Sequence, residues 1–477
     1  MREHRNRDRD PGGVAPVSGG RDIVTGGRTH HAEGTQAAVP GPARRPSSRT
    51  VVGALAGLTA LSVLSGCLVF LLLDPYGDYG ILNGGIDLDV YREGARRAIS
   101  GEALYTGPVL AGLLYTYTPF STLVFIPLGL LPTGDDLIWM TVNLVLLAVV
   151  IVQCLHLLGH RIGATTIALA VTLTPAAAFL EPVRTSLFYG QINLALMVLV
   201  LWDISRGDKS RLRGIGVGLA AGIKLTPAYF LLYYLAQRRW RAAATGIATV
   251  AATIAIAWIV LPSDSYRYWT DTFFNSGRIA DDQHAANQSL RGTIARLTGG
   301  DAPTVVWLLC AAVIVVVSMA VAVKLLRRGQ ALAAVTLVGL SAATVSPFSW
   351  SHHWVWFVPV LVMALHYALT ASPLWWFGVV GWWALLGSWV YIRPDDSVAV
   401  GTYLLPATGI WWHPVVNLYT VVYLLVLIGC AVWALRLPAP APAAPVGAAA
   451  PAAPADAPEP QAGSGDGAVT TGSADAD

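Results

Sequence analysis

Residues 51–73 read VVGALAGLTALSVLSGCLVFLLL and carry no charge. A run of that length and apolarity matches the roughly 20 residues a helix needs to cross a bilayer. Lipid offers the backbone no hydrogen-bonding partner, so helix is the state that satisfies it. Working outward, the same reading holds for about a dozen apolar segments: 51–73, 115–133, 137–158, 162–180, 187–204, 213–236, 242–262, 303–325, 331–346, 354–370, 373–391 and 411–435. The expected fold class is all-α, a polytopic integral membrane protein with about twelve transmembrane helices.

Composition agrees. The chain is 55% hydrophobic and 12% charged, where a soluble domain has about a quarter of its residues charged. This excludes an ordinary soluble enzyme, a disulfide scaffold and a largely disordered protein. The charge is also concentrated at the ends. Residues 1–50 carry nine basic and five acidic side chains, and residues 438–477 carry five acids and no base. Both ends lack apolar periodicity and cannot bury a core. The expected organisation is a disordered basic cytoplasmic tail (1–50), a membrane domain (51–437) and a disordered Ala/Pro-rich acidic tail (438–477). A net charge of +3 with no basic, aromatic-interleaved stripe predicts no nucleic-acid partner. Cys67, Cys154, Cys310 and Cys430 lie far apart in apolar runs and read as buried apolar residues, not as a metal or redox set. Leu64-Ser65-Gly66-Cys67 resembles a lipoprotein cleavage box. The apolar run continues past it, however, so it reads as part of an uncleaved anchor.

The basic excess before residue 51 places that end in the cytoplasm. The two long polar connections, 74–114 and 263–302, then fall outside, together with Ser346–Trp354. Basic stretches at Arg206–Arg213, Arg238–Arg241 and Arg327-Arg328 belong inside. If the first two both face the cytoplasm, 213–236 cannot be one crossing, and Lys224-Leu225-Thr226-Pro227 is a plausible break between half-helices.

Polar residues kept in or beside apolar runs are the candidates for chemistry. In the first loop, residues from Leu88 onward suit a short amphipathic helix at the membrane surface. Asp87 would then stand at its N-terminus, where the dipole favours a carboxylate. It reads either as an N-cap or as a functional acid, with Asp89 and Tyr91 beside it. Arg184 precedes Tyr189-Gly190-Gln191-Ile192-Asn193. Those amides and the guanidinium suit a sugar or phosphate, or else bond between helices. Lys224 sits in an apolar run and reads as functional or as snorkelling to headgroups. In the second loop, Asn287-Gln288-Ser289-Leu290-Arg291-Gly292 offers Arg291, whose planar fork suits phosphate oxygens. Ser346–Trp354 carries Trp350, His352 and His353, an interfacial aromatic belt or part of a site. No further His or Cys lies at zinc-ligand spacing.

Taken together, these segments resemble the actinobacterial polytopic mannosyltransferases of glycosyltransferase family 87, in the GT-C superfamily. The resemblance runs over most of 51–436. It rests on Asp87-Leu88-Asp89-Val90-Tyr91, the Tyr117-Thr118-Pro119 entry, Gly190-Gln191-Ile192-Asn193, Gly222-Ile223-Lys224-Leu225-Thr226-Pro227, Asn287–Gly292 and Ser346–His353 in the same order. One departure is Thr118, where many members have a second proline. The resemblance implies a polyprenyl-phosphate-mannose donor, a glycolipid or lipoglycan acceptor and a site facing the periplasm. It also implies an essential acid in the first outer loop, by position Asp87 with Asp89 second, and makes His352 and His353 candidates for the catalytic set. Asp89, Tyr91, Arg184, Gln191, Asn193, Lys224, Asn287, Gln288, Arg291 and Trp350 are the expected substrate-binding residues. β-linked donors and α-linked products imply a single inverting displacement. One general base then suffices, with cationic groups facing the departing phosphate. No metal ligand set is expected. Alternatives are a lipid or sugar transporter or flippase, since broken helices and an intramembrane lysine also suit transporters, and the same fold acting on another sugar such as arabinofuranose.

Overall fold

A computed structural model describes residues 46–73, 81–82, 84–130, 136–207, 209–274, 281–389 and 412–438. Residues 1–45 and 439–477 of the two tails, Asn83 of the first loop and all of 131–135 lie outside the described residues, while Ser48–Thr50, expected in the first tail, open α1. α1 (Ser48–Leu73) is the first apolar run, and α2 (Ile86–Ser100) lies in the first long loop. A small antiparallel hairpin, β1 (Pro108–Leu110) with β2 (Leu113–Leu114), follows it. Next come α3 (Pro119–Leu130), α4 (Asp136–Leu157), α5 (Ala164–Ala178), α6 (Glu181–Tyr189), α7 (Asn193–Ile204), α8 (Ile215–Ile223), α9 (Tyr229–Ala236) and α10 (Trp240–Val260). The second long loop holds α11 (Pro262–Thr270) and α12 (Leu290–Thr298). α13 (Thr304–Arg327), α14 (Ala331–Val345), α15 (Val358–Thr370), α16 (Trp375–Leu385), α17 (Trp412–Val416) and α18 (Leu418–Arg436) complete the described chain.

The chain is a helical polytopic membrane protein, but its apolar segments are not a dozen equal crossings. Among the described residues six helices are long and apolar enough to span: α1, α4, α10, α13, α18 and the continuous Ser351–Thr370 that ends in α15. The α6–α7 pair, bent by 119°, makes a seventh if taken as one span. α3, α5 and α14 are apolar but only 12 to 15 residues long. The six spans differ in surroundings. Ser351–Thr370 is 67% buried, whereas the others are 22–33% buried, so it forms the core with the almost wholly buried α14. The rest turn apolar faces outward, as lipid-facing helices do. This corrects the reading of the cysteines: Cys154 is buried, but Cys67 and Cys310 lie exposed on α1 and α13.

The segment 213–236 is a helical hairpin and not one continuous helix. α8 ends at Ile223, Lys224 is extended, and Thr226–Ala228 makes one 3-10 turn before α9. Its two ends meet: the Arg213 guanidinium lies 5.8 Å from the Tyr234 ring, and Arg239 N donates to Tyr234 O. A Cβ on Gly214 would lie 2.3 Å from Ala242 O, so the starts of α8 and α10 touch. The basic stretches at Arg206–Arg213 and Arg238–Arg241 therefore share one side. At 1.5 Å per residue, the nine residues of α8 reach about 14 Å, near half of a roughly 30 Å hydrocarbon core. Lys224 is at the tip.

The long loops share the opposite side. Leu104 N donates to Asp264 Oδ1 at 2.9 Å, and the Tyr105 and Tyr268 rings lie 5.3 Å apart. Gln288 N donates to Ser349 O, and its amide to Val416 O. Loop one, loop two and the Ser346–Trp354 connection thus form one continuous layer.

Candidate active site

α2 begins two residues earlier than the pattern from Leu88 suggested. Gly85 takes the N-cap position at φ 101°, and its N–H donates to Phe188 O at 2.7 Å. A Cβ on Gly84 would stand 1.9 Å from that same oxygen, so the Gly84-Gly85 pair lets α2 start against the end of α6. Asp87 falls inside the first turn and is not the cap; its side chain reaches away, toward Gln191.

Gln191 gets there because α6 stops at Gly190, which has φ 72°. A Cβ on Gly190 would approach the Leu88 Cβ to 2.8 Å, so glycine answers both the left-handed backbone and the packing of α2. The amide then bridges the cleft. Its Nε2 donates to Asp87 Oδ2 at 2.5 Å. Its Oε1 accepts from Tyr117 at 2.9 Å and Tyr91 at 3.1 Å, and the two phenols lie 2.6 Å apart. Lys224 Nζ extends the chain, 3.3 Å from the Tyr117 hydroxyl, 3.1 Å from Asn193 Oδ1 and 3.2 Å from His353 Nε2. Asp87, Lys224 and His353 are half-buried and Gln191 and Asn193 buried, so the two ends of this hydrogen-bonded chain keep an exposure that its middle lacks.

Burial pushes the Asp87 carboxyl up to about 6, against the opposing pull of the Gln191 hydrogen bond and the Lys224 charge. Burial also holds the Tyr91 and Tyr117 phenols above their usual range, so both stay protonated donors. The result is a carboxylate more basic than an ordinary one, still ionised at neutral pH, facing a cation across one amide. Beyond Lys224 the cleft changes character. Asn193, Lys224 and His353 also line a cavity whose walls are otherwise mostly apolar, with Leu196, Met197, Val200, Phe230, Ala343 and Trp356 among them.

The other expected residues divide. His352 is buried beside Tyr189, Trp350 and His353, with its carbonyl bonded by Asn193 Nδ2 at 2.8 Å. Neither of its ring nitrogens has a hydrogen-bond partner within the described residues. Trp350 links that ring to His284 of the second loop. Asp89 points elsewhere: Arg92 pairs with it at 3.1 Å and with Asp136 at 3.3 Å. Arg184 is buried in α6 against Phe188. Arg291 is held by Asp282 at 2.8 Å, and Asn287 and Gln288 bond backbone groups of 282, 285, 349 and 416. These three knit the outer layer together, and among the described residues their side-chain partners do not include Asp87. Among the described residues no three His, Cys, Asp or Glu side chains gather as a metal site.

Not among the expected site residues are Tyr117, quoted only in the Tyr117-Thr118-Pro119 entry, and Glu181, fully buried at the start of α6. Glu181 falls between the apolar segments 162–180 and 187–204, where an acid reads as part of a polar connection, so hydropathy gave no signal of its burial.

The fold and site define a membrane-embedded group-transfer protein, with one acid–base cleft under a layer of outer loops. The model of glycosyltransferase family 87 matches residues 115–347. A Mycolicibacterium smegmatis protein named polyprenol-phosphate-mannose-dependent alpha-(1-2)-phosphatidylinositol mannoside mannosyltransferase is 32% identical, over 69% of this chain and 81% of that one. A second protein of that organism, the corresponding phosphatidylinositol pentamannoside mannosyltransferase, is 36% identical over 61% and 73%. An alpha-(1->3)-arabinofuranosyltransferase of Corynebacterium glutamicum is 30% identical over 44% and 50%. No solved structure matches. The chain belongs to glycosyltransferase family 87 and is a glycosyltransferase; a flippase or transporter reading is set aside.

Proposed function

We propose that the protein transfers mannose from a polyprenyl-phosphate-mannose donor to a phosphatidylinositol-mannoside or related lipoglycan acceptor. The reaction is a single inverting displacement that leaves an α-1,2 linkage. The observation that carries this reading is the cleft itself, with Asp87 at one end of a hydrogen-bonded chain and Lys224 with His353 at the other. The names of the relatives support the donor and acceptor classes. Asp87 takes the proton of the acceptor hydroxyl as that oxygen attacks the anomeric carbon, while the carbon–phosphate oxygen bond breaks and its electron pair leaves with the phosphate. Lys224 and His353 meet the departing charge, and the apolar cavity beyond them suits the first units of a polyprenyl chain. His352 borders the same space. The transfer needs no metal. The protein sits in the cell membrane as a GT-C arrangement of about twelve apolar segments, its site and two long loops facing the periplasm.

The test is mannose transfer in membranes from cells expressing Asp87→Asn. Near-normal turnover in the folded variant refutes the base. EDTA is expected to leave transfer intact; loss restored by a divalent cation refutes the metal-free reaction. The arabinofuranosyltransferase relative favours one second reading, another sugar on the same fold. Supplying both donors to the same membranes separates the two.

A further inference from the structure

Glu181 is a carboxylate the transfer chemistry does not use. It opens α6 and is 1% exposed. Its backbone N–H donates to Leu386 O at 2.8 Å. Its carboxylate accepts from two hydroxyls, Thr185 at 2.6 Å on its own helix and Tyr419 on α18, and the Ser351 side chain at the start of the core span lies beside it. Arg184 lies close on the same helix and adds opposite charge. Hydroxyls converging on one buried group suit a carboxyl, which offers two oxygens where an amide offers one.

Ser351 directly precedes His352 and His353. The next carbonyl, that of His352, accepts from Asn193 Nδ2 at 2.8 Å and Ser186 Oγ at 3.4 Å. The backbone at 351–352 is therefore gripped from α6 by Glu181 and Ser186 and from α7 by Asn193. This grip sets where the His353 ring stands, its Nε2 3.2 Å from Lys224 Nζ. We propose that Glu181 is a positioning residue: through Ser351 it holds His353 against Lys224, where the donor phosphate binds. The proposal rests on the reading of Lys224 and His353 as the phosphate site.

A double-mutant cycle tests it, with Glu181→Gln, His353→Ala and the pair compared in purified, detergent-solubilised enzyme against polyprenyl-phosphate mannose and acceptor. Alone, Glu181→Gln is expected to lower donor kcat/KM about tenfold and leave acceptor KM within about twofold, the size typical of coupled neighbours. In the His353→Ala background it is expected to change donor kcat/KM by less than about twofold. The same loss in both backgrounds, or an equal effect on donor and acceptor, overturns the proposal. If His353→Ala alone leaves donor kcat/KM unchanged, the phosphate reading falls and the proposal with it. If His353→Ala is impaired but the cycle is additive, only the positioning role falls. Should Glu181→Gln fail to accumulate, Tyr419→Phe removes one of the two hydroxyls bonded to Glu181, keeps the ring and runs through the same cycle with the same outcomes.

Discussion

Asp87 has to be ionised to accept a proton, and burial raises the pH at which it becomes so to about 6. At pH 7 a group of that pKa is roughly nine-tenths charged. The acid limb of kcat/KM against pH is accordingly expected to fall with an apparent pKa near 6; a limb near 4 refutes the assignment. The same shift has a thermodynamic sign. An acid whose folded pKa lies above its unfolded value stabilises the fold below the unfolded pKa, and that stability is lost as pH rises through the folded pKa. Asp87→Asn is therefore expected to raise the melting temperature at pH 7.5 while abolishing transfer. The gain is on the order of 1–2 kcal/mol, kept modest because the carboxylate is only half-buried. Thermal unfolding at pH 4 and 7.5 reads it, and the advantage should vanish at the lower pH. Lys224→Met removes a charge-assisted contact worth about 1.5–3 kcal/mol. A loss of roughly ten- to a hundredfold in donor kcat/KM is expected, with acceptor KM little changed.

At the scale of elements, the site depends on two breaks. The first is Gly190, where α6 turns into α7. Gly190→Ala puts a side chain into left-handed backbone, at about 1 kcal/mol, and a Cβ 2.8 Å from that of Leu88. We expect a folded but slow enzyme, because α2 must shift and carry Asp87 away from Gln191. Comparing its transfer rate with that of Gly107→Ala, whose Cβ meets nothing within 4 Å, isolates the effect. The second break is the tip of the helical hairpin, where helix ends at Ile223 and Lys224 is extended. Both breaks put polar groups where an unbroken helix would bond only to itself.

At the scale of the molecule, loops distant in sequence form one layer, and the basic connections gather on the other side. In a cysteine-free background, Lys209→Cys and Arg241→Cys are expected to react with an impermeant thiol reagent from one face of the membrane. Glu102→Cys should react only from the other. Labelling of the first two from opposite faces refutes the hairpin.

Much of this was legible in the chain. Apolar length alone determines the membrane class, and the basic stretches bracketing 213–236 already demand a broken segment. The scarcity of charge in lipid points to Lys224 before any contact is seen, because an ionisable group kept there needs a reason; Asp87 lies in the outer loop and is singled out by the family resemblance. What only the tertiary structure decided is partnership. Asp89 and Asp87 share one helical turn, yet they face different neighbours: Arg92 takes the first and Gln191 the second. Arg291 suits phosphate by chemistry and is held by Asp282 in space. Glu181 and Tyr117 enter the picture because α18, α3 and the core span meet α6 and α7 there. Hydropathy is a local property that the chain carries with it. A hydrogen bond between residues a hundred positions apart exists only once every element between them has been placed.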